Sequence, residues 1–228
     1  MRIPGFEPSY TAWETIISIK TIIFQKIFLL ITLTSIYNYD IILYVREFVV
    51  YSRTGKTSPN FRNLREGGRL DLVYQCILMA LFRSHGIRKD VVFHAILNGA
   101  PKPPLELIVD GATLRNVRTD ENTWESIIRN VLSGARHPGV YIKKNSLQQL
   151  IKDKKDIFVL EESGDDIKTI ELGTNPIFVL GDQVGLPRNE ERFVLRYAKK
   201  VSLGKTAYLA AACVSNINYI LDLREKIL

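Results

Sequence analysis

Cysteine and histidine are scarce in this sequence, which has two cysteines and three histidines in 228 residues. Cys76 and Cys213 are far apart, and His85, His94 and His137 show no paired spacing. No grouping therefore resembles a zinc site, and each histidine is interpreted as a surface or satisfied core residue. The pattern predicts a reduced intracellular protein, placed in the cytoplasm, without a structural metal.

Two nucleotide-binding motifs are also missing. Gly-Lys-Thr occurs at 55–57 and at 204–206, but a P-loop needs another glycine five residues earlier, where Val50 and Lys199 stand. The stretch 181–185 lacks the three glycines of the dinucleotide fingerprint. These absences exclude both motifs, whereas a nucleotide-like cofactor bound by backbone groups stays compatible with the sequence.

A hydrophobic run long enough to cross a membrane is missing from the amino-terminal segment, residues 1–44. Lys26 and Asp40 bracket only 13 uncharged residues, fewer than the roughly 18 expected of a membrane span. Glu7 argues against a signal peptide. We expect no membrane association for residues 45–228. We interpret 1–44 as an apolar extension that is not native, with the true start at Val45 on a GUG codon.

The composition predicts a basic globular protein. Apolar residues make up 46% of the chain and charged residues 24%, and the formal net charge is +7. A polyanionic partner is favoured, and the distribution of charge supports it, since six basic residues lie between Arg46 and Arg69 with Tyr51 and Phe61 among them. Such a loop can contact phosphates and stack bases, and the alternative is an ordinary solvated loop.

Hydrophobic periodicity predicts a single α/β domain over residues 45–228. Alternating strands and helices favour a largely parallel sheet covered on both faces. Gly86 is expected to cap the first helix, and Asp110-Gly111 to turn a hairpin toward Thr113 and Leu114. The predicted strands are 46–52, 91–97, 105–109, 140–142, 157–160 and 177–180; the predicted helices are 70–83, 120–133, one begun by Ser146, one opened by 189–191, and about 206–222.

The last fifty residues contain two apolar strands that each run into a glycine turn, at 178–185 and at 201–207. A residue without a Cβ lets backbone amides approach a cofactor at the carboxyl end of a parallel sheet. Two such turns close in sequence predict one shared pocket.

Three segments together resemble the archaeal tRNA pseudouridine N1-methyltransferase family of the SPOUT class. They are REFVVYSRTGKTSP at 46–59, GGRLDLVYQCILMALFRSHGIRKD at 67–90, and FVLGDQVG with VSLGKTAYLAAACV within 178–214. The resemblance covers essentially residues 45–228. It implies a SPOUT-type sheet flanked by helices with a carboxyl-terminal deep trefoil knot, a homodimer, S-adenosylmethionine as methyl donor, and methylation of N1 of pseudouridine in the tRNA T-loop at position 54.

The resemblance also implies the site residues. Arg69 and Asp71 are expected at the reacting nitrogen, the arginine to stabilise negative charge and the carboxylate as an orienting acceptor first and a general base second. Arg53 and Arg62 are expected to bind RNA. The residues expected to bind the cofactor are Leu160, Leu180, Gly181, Ser202, Leu203, Gly204, Lys205, Thr206, Ala207, Tyr208 and Cys213.

Two other functions stay open at the level of sequence. One is a related knotted methyltransferase that acts on pseudouridine in ribosomal RNA; the absence of inserted RNA-binding elements favours tRNA. The other is a catalytically silent RNA-binding module, which the intact turns at Gly181 and Gly204 argue against. Taken alone, each of the candidate residues has a structural alternative, and Cys213 in particular resembles an inert small hydrophobe.

Overall fold

The computed structural model describes residues 45–225, and the predicted extension at 1–44 lies outside these described residues. The strands are β1 (Arg46–Ser52), β2 (Phe82–Arg83), β3 (Gly86–Ile87), β4 (Val91–Leu97), β5 (Leu105–Asp110), β6 (Val140–Lys143), β7 (Ile157–Asp166), β8 (Ile177–Gly181) and β9 (Ala198–Ser202). The helices are α1 (Leu70–Leu81), α2 (Glu121–Leu132), α3 (Leu147–Ile151), α4 (Arg188–Val194) and α5 (Ala210–Glu225).

Seven of the strands form one sheet in the order β6-β5-β4-β1-β8-β7-β9. Strands β4, β1, β8, β7 and β9 are parallel, whereas β5 and β6 are each antiparallel to their neighbours. The prediction of a largely parallel sheet is confirmed. The carboxyl ends of the five parallel strands therefore meet at one edge, and β5 begins and β6 ends at that same edge.

Both faces of the sheet are buried, which explains why apolar and polar residues do not alternate in the central part of β1. Phe48 and Val50 pack in the larger core with α1, α2 and α5, while Val49 and Tyr51 pack in a second core with α3 and α4. Helices thus cover both faces, as predicted from the continuous apolar strands.

The end of α1 differs from the prediction. The periodicity predicts a helix as far as Arg83 with Gly86 as its cap, but the helix ends at Leu81, and Phe82–Arg83 pair antiparallel with Gly86–Ile87. Phe82 is extended because its ring packs edge-on against Trp124, with the centroids 6.2 Å apart. Tertiary packing therefore overrides the helical periodicity at this point.

The hairpin expected after Asp110 is also wrong. Strand β5 pairs with β4 and β6, and no strand follows at Thr113. The Asp110 carboxylate instead accepts hydrogen bonds from the Ala112 N–H at 2.9 Å and the Thr113 hydroxyl at 2.7 Å. A side chain that satisfies the turn locally removes the need for a second strand.

The last helix begins later than expected. The sequence predicts it from about Thr206 to Asp222, whereas it runs from Ala210 to Glu225. The segment Gly204–Leu209 is an exposed loop, and Gly204 has a φ of 121°, a backbone conformation that favours glycine. This loop contributes to the site described below.

Within residues 45–225, no helix is long and apolar enough to span a bilayer. The histidine, cysteine and carboxylate side chains of the same residues form no cluster that could hold a metal ion.

Candidate active site

A cleft of about 480 Å³ opens at the carboxyl edge of the sheet, over the ends of β1, β8 and β7 and beside the loop that follows β9. The start of α1 forms the opposite wall through Leu72, Val73, Gln75 and Cys76. Two glycine turns predicted to share a pocket therefore do so. The residues predicted to bind cofactor that line the cleft are Leu160, Leu180, Gly181, Leu203, Gly204, Thr206, Ala207, Tyr208 and Cys213.

Two further residues from the same prediction lie outside the lining. Ser202 is buried, and its hydroxyl accepts a hydrogen bond from the Gly204 N–H at 2.9 Å. This bond stabilises the turn after β9. Lys205 is exposed on the loop.

Gly181 is placed where a side chain has no room. A Cβ built on it would lie 2.3 Å from the carbonyl carbon of Gly185, because the turn after β8 folds back through a bridge between Asp182 and Gly185. Backbone atoms therefore form this part of the cleft wall, as the sequence predicts.

The charge inside the cleft was not anticipated. Among the described residues that line it, the charged side chains are Glu161, Glu162 and Asp182, all carboxylates in a chain of net charge +7. Burial raises the pKa of Glu161, and the nearby carboxylate of Glu191 adds to that increase. The available sequence signal was that Glu161 directly follows the apolar run at 157–160.

Asp182 joins the two loops that flank the cleft. Its carboxylate accepts the backbone N–H of Arg53 at 2.9 Å and that of Val184 at 3.0 Å, and its own N–H donates to the Tyr51 carbonyl at 3.1 Å. The Arg53 guanidinium donates to the Gly185 carbonyl from Nε at 3.2 Å and from Nη2 at 3.1 Å. Arg53 thus lies beside residues that line the cleft, and two of its N–H groups are already used to stabilise the turn at Gly185.

Arg69 and Asp71 lie at the amino-terminal end of α1, immediately before the residues that form the cleft wall. The Arg69 guanidinium donates from Nε and Nη2 to the two Asp71 carboxylate oxygens, at 3.1 and 3.2 Å. This hydrogen bonding raises the pKa of Arg69. Arg69 has a φ of 67° and follows Gly68 with a φ of 76°, so two successive left-handed residues turn the chain into the helix.

Arg62 is exposed on the loop between β1 and α1, outside the cleft lining. The loop is attached to α2 because the Arg129 guanidinium donates to the Pro59 and Phe61 carbonyls and stacks over the Phe61 ring at 4.4 Å. Of the two predicted RNA-binding residues, Arg53 contacts residues that line the cleft, whereas Arg62 is exposed on the loop.

Both cysteines are buried. Burial raises the pKa of Cys76 to about 12 and that of Cys213 to about 11, so both thiols are protonated at neutral pH. A protonated thiol is a poor nucleophile. This agrees with the interpretation of Cys213 as a packing residue of the wall rather than a nucleophile.

A cleft at the carboxyl ends of parallel strands, with glycine turns and carboxylates, defines the chain as an α/β protein that binds a cofactor at the edge of its sheet. A sequence profile described as "Putative SAM-dependent RNA methyltransferase" matches residues 45–226. The chain belongs to this family of S-adenosylmethionine-dependent RNA methyltransferases.

Two archaeal relatives of this chain share the name tRNA (pseudouridine(54)-N(1))-methyltransferase. The protein of Methanocella arvoryzae is 38% identical over 192 residues, which cover 79% of this chain and all of the relative. That of Thermococcus kodakarensis is 35% identical, with 78% of this chain and 99% of the relative covered.

A solved structure with a similar fold is that of Archaeoglobus fulgidus Nep1 bound to S-adenosylhomocysteine. It superposes with a TM-score of 0.60 at 14% identity, covering 77% of this chain and 96% of Nep1. At this level of identity, the comparison supports the fold alone.

Proposed function

We propose that this protein transfers a methyl group from S-adenosylmethionine to N1 of the pseudouridine at position 54 in the T-loop of tRNA. The observation that carries the proposal is a cleft at the ends of parallel strands, one wall of which is formed by the start of α1 directly after the Arg69–Asp71 ion pair. The names of the relatives support the substrate, and the family supports the methyl donor.

The cleft residues fit the donor chemically. Leu160, Leu180 and Leu203 provide apolar walls for an adenine ring, and the close approach at Gly181 exposes backbone polar groups to it. S-adenosylmethionine supplies a methyl group on a positively charged sulfur when it is bound. The other residues proposed to bind S-adenosylmethionine are Ser202, Gly204, Lys205, Thr206, Ala207, Tyr208 and Cys213. Ser202 contributes indirectly, because its hydroxyl fixes the shape of the turn.

The nucleophile determines which base can react. Pseudouridine is joined to ribose through C5, so its N1 carries a proton and is free, whereas N1 of uridine is occupied by the sugar. In the proposed mechanism, Asp71 accepts a hydrogen bond from the N1–H and thereby orients the nitrogen, and Arg69 stabilises the negative charge that develops on the ring. N1 takes the methyl group as the bond between methyl and sulfur breaks with its electron pair on sulfur, and the N1 proton passes to solvent or, in the secondary role, to Asp71. Positioning is expected to supply most of the acceleration, because both oxygens of the Asp71 carboxylate already accept hydrogen bonds from Arg69.

Arg53 and Arg62 complete the proposed contacts with RNA. Arg53 is fixed beside the cleft by its hydrogen bonds to Gly185, which suits a contact with the target nucleotide or its phosphate. Arg62 is exposed farther along the loop and suits a phosphate contact, whose contribution weakens with salt.

A homodimer is part of the proposal. Large apolar side chains on and before α5 are exposed, with Leu209 at 72% and Tyr219 at 63%, and Met79 of α1 is exposed at 42%. A second copy of the chain would cover them, and light scattering on Tyr219→Glu, expected to give a monomer, tests this.

The trefoil knot and the cytoplasmic location are further elements of the proposal. The knot is supported by the sheet order, in which β8 inserts between β1 and β7 although it follows β7 in the chain. The interpretation of residues 1–44 as a non-native extension also stays a proposal, and peptides from this segment in the natural protein would contradict it.

The test uses the full chain with labelled S-adenosylmethionine and two T-loop RNAs that differ only in carrying uridine or pseudouridine at the target position. Transfer to the pseudouridine RNA alone is the expected result. Cofactor binding without transfer to either RNA would contradict the tRNA assignment and direct the search to pseudouridine in ribosomal RNA. Failure to bind S-adenosylmethionine would instead leave a silent RNA-binding module.

A further inference from the structure

Three loops at the carboxyl edge of the sheet are joined into one body by contacts over the ends of β1, β4, β5 and β6. The loop after β1 meets the β4–β5 connection where the Thr57 N–H donates to the Ala100 carbonyl at 3.1 Å and the Thr57 hydroxyl accepts the Lys102 N–H at 2.8 Å. The segment after β6 joins them, because the Lys144 ammonium donates to the Lys102 and Pro103 carbonyls at 3.0 and 2.7 Å.

This body carries a strong excess of positive charge. The segments 53–69, 98–104 and 143–144 contain eight lysines and arginines and a single acidic residue, Glu66. We call Lys56, Lys102 and Lys144 the lysine surface. The contacts above bring these three residues together although each comes from a different one of the three segments.

The ammonium groups of Lys56 and Lys144 have N–H donors that are not used in hydrogen bonds within the protein. An ammonium has three N–H groups. Lys144 uses two of them on carbonyls, and Lys56 donates to the Asn60 carbonyl at 3.3 Å. The remaining donors are able to bind phosphate oxygens while the internal bonds hold the lysine stems in place.

The lining of the cleft and the lysine surface have opposite charge. The cleft occupies the β1-β8-β7-β9 half and is lined by carboxylates as its charged groups, among the described residues. The lysine surface occupies the β1-β4-β5-β6 half. From β1 to β6 is three strand intervals, about 14 Å at the usual spacing between strands. The phosphates of an RNA whose base is held at Asp71 are thus repelled by the carboxylates of the cleft lining and attracted by the lysine surface.

We propose that the lysine surface binds phosphates of the substrate RNA outside the loop that carries the target base. The inference rests on the proposed function for the nature of the polyanion. Such contacts fix the register and orientation of the RNA without reading its sequence, and they make affinity fall with salt. Recognition of the base then remains with the residues at the cleft.

The test measures tRNA binding as a function of salt for the Lys56→Gln/Lys102→Gln variant of the full chain. Lys144 is left intact because it ties the loops together. Removal of two phosphate contacts should reduce the slope of log K against log salt by about 1.4 to 1.8, at about 0.7 to 0.9 per contact. The matched control is Lys152→Gln/Lys155→Gln, which removes two exposed lysines that precede β7, at the opposite edge of the sheet. The control should lower the slope by much less.

The substrate arm compares whole tRNA with a single-stranded T-loop oligonucleotide that lacks the stem. The lysine variant should raise the KM for whole tRNA and leave that for the oligonucleotide unchanged, and the charge-preserving Lys56→Arg/Lys102→Arg variant should restore the KM for whole tRNA. An unchanged salt slope overturns the proposal, and so does an equal loss on the oligonucleotide or a loss that arginine does not restore. A reduced slope without methyl transfer by the parent chain would retain the lysine surface and reject the proposed function.

Discussion

Arg69 and Asp71 form a bidentate ion pair across two residues, with the guanidinium Nε and Nη2 on the two carboxylate oxygens at 3.1 and 3.2 Å. The pair is partly exposed, with 38% of the arginine side chain and 18% of the aspartate side chain accessible. Each group therefore holds the other in place while part of it stays accessible. This geometry supports an orienting role for the carboxylate before a role as base.

Replacement of Asp71 by asparagine separates these roles. The amide keeps one oxygen acceptor but cannot take a proton, so a purely orienting role predicts a loss in kcat of about tenfold, whereas a general base is worth about 10²- to 10⁴-fold. We expect the smaller loss, with cofactor affinity unchanged, measured by steady-state kinetics and calorimetry.

The control for Asp71→Asn is Asp120→Asn, which alters an exposed helix cap distant in sequence from the cleft and should leave kcat unaltered. A kcat for Asp71→Asn equal to that of the parent would remove the carboxylate from the mechanism.

Gly68 fixes the entry to α1 and thereby the position of the ion pair. Its φ is 76°, and a Cβ there would lie 1.7 Å from the Thr54 carbonyl oxygen, a backbone atom that cannot move aside independently. Gly68→Ala should lower the free energy of unfolding by about 2 kcal/mol or more and reduce kcat.

Gly86→Ala is the matched control for Gly68→Ala. No atom lies within 4 Å of a Cβ at Gly86, so Gly86→Ala should alter the free energy of unfolding by no more than about 0.5 kcal/mol. Denaturant unfolding of both variants measures the difference. Equal free energies of unfolding for Gly68→Ala and Gly86→Ala would show that the backbone at Thr54 moves to accommodate the added methyl group.

Part of this architecture was predictable because burial leaves a direct trace in sequence. Phe48 and Val49 point to opposite cores, so β1 needs apolar residues at successive positions, and the pattern reveals a parallel strand. The glycine turns were found for a similar reason, since Gly181 has no room for a Cβ.

The residues that escaped prediction are polar ones whose role depends on a distant partner. Asp182 follows a strand like any loop aspartate, and its function emerges only where its carboxylate meets the Arg53 N–H, 129 positions away in sequence. Strand β7 continues past Leu160 to Asp166 through a polar stretch because it pairs with β9 across a bulge. Neither relationship has a local signature.

The carboxylates of the cleft predict a difference between the donor and its product. S-adenosylmethionine carries a positive sulfonium that S-adenosylhomocysteine lacks, so Glu161 and Glu162 should favour the donor. The Glu161→Gln/Glu162→Gln variant should bind S-adenosylmethionine about 3- to 10-fold more weakly, since partly exposed charge pairs contribute about 1 kcal/mol or less each. Binding of the product should change little.

Calorimetry with both ligands at two salt concentrations measures this preference. The control is Glu171→Gln, an exposed glutamate that does not line the cleft. An equal loss of affinity for both ligands would assign the glutamates to shape rather than to charge.

His94 gives the fold a dependence on pH. Its Nδ1 lies 2.7 Å from Glu106 Oε1 and its Nε2 lies 3.3 Å from Glu47 Oε2, while Lys154 faces Glu47 at 2.6 Å and Asn145 donates to Glu106 at 2.8 Å. Burial lowers the pKa of His94, but the hydrogen bond with Glu106 and the negative charges of both glutamates outweigh burial and raise the pKa above the ordinary 6.5. The pKa values of both glutamates are lowered despite their burial.

Stability should therefore fall on the alkaline side. The contribution of His94 is complete below pH 6.5, where the unfolded chain also holds the proton, and is lost as pH rises through the higher pKa of the folded state. Thermal or denaturant unfolding between pH 6 and about pH 9 measures this loss of stability. His94→Gln should lower stability at pH 6 by about 3 kcal/mol and flatten the dependence, because a buried pair loses its cation. His85→Gln, at an exposed position, should retain the parent profile; a parent profile in His94→Gln would mean that His94 is neutral in the fold.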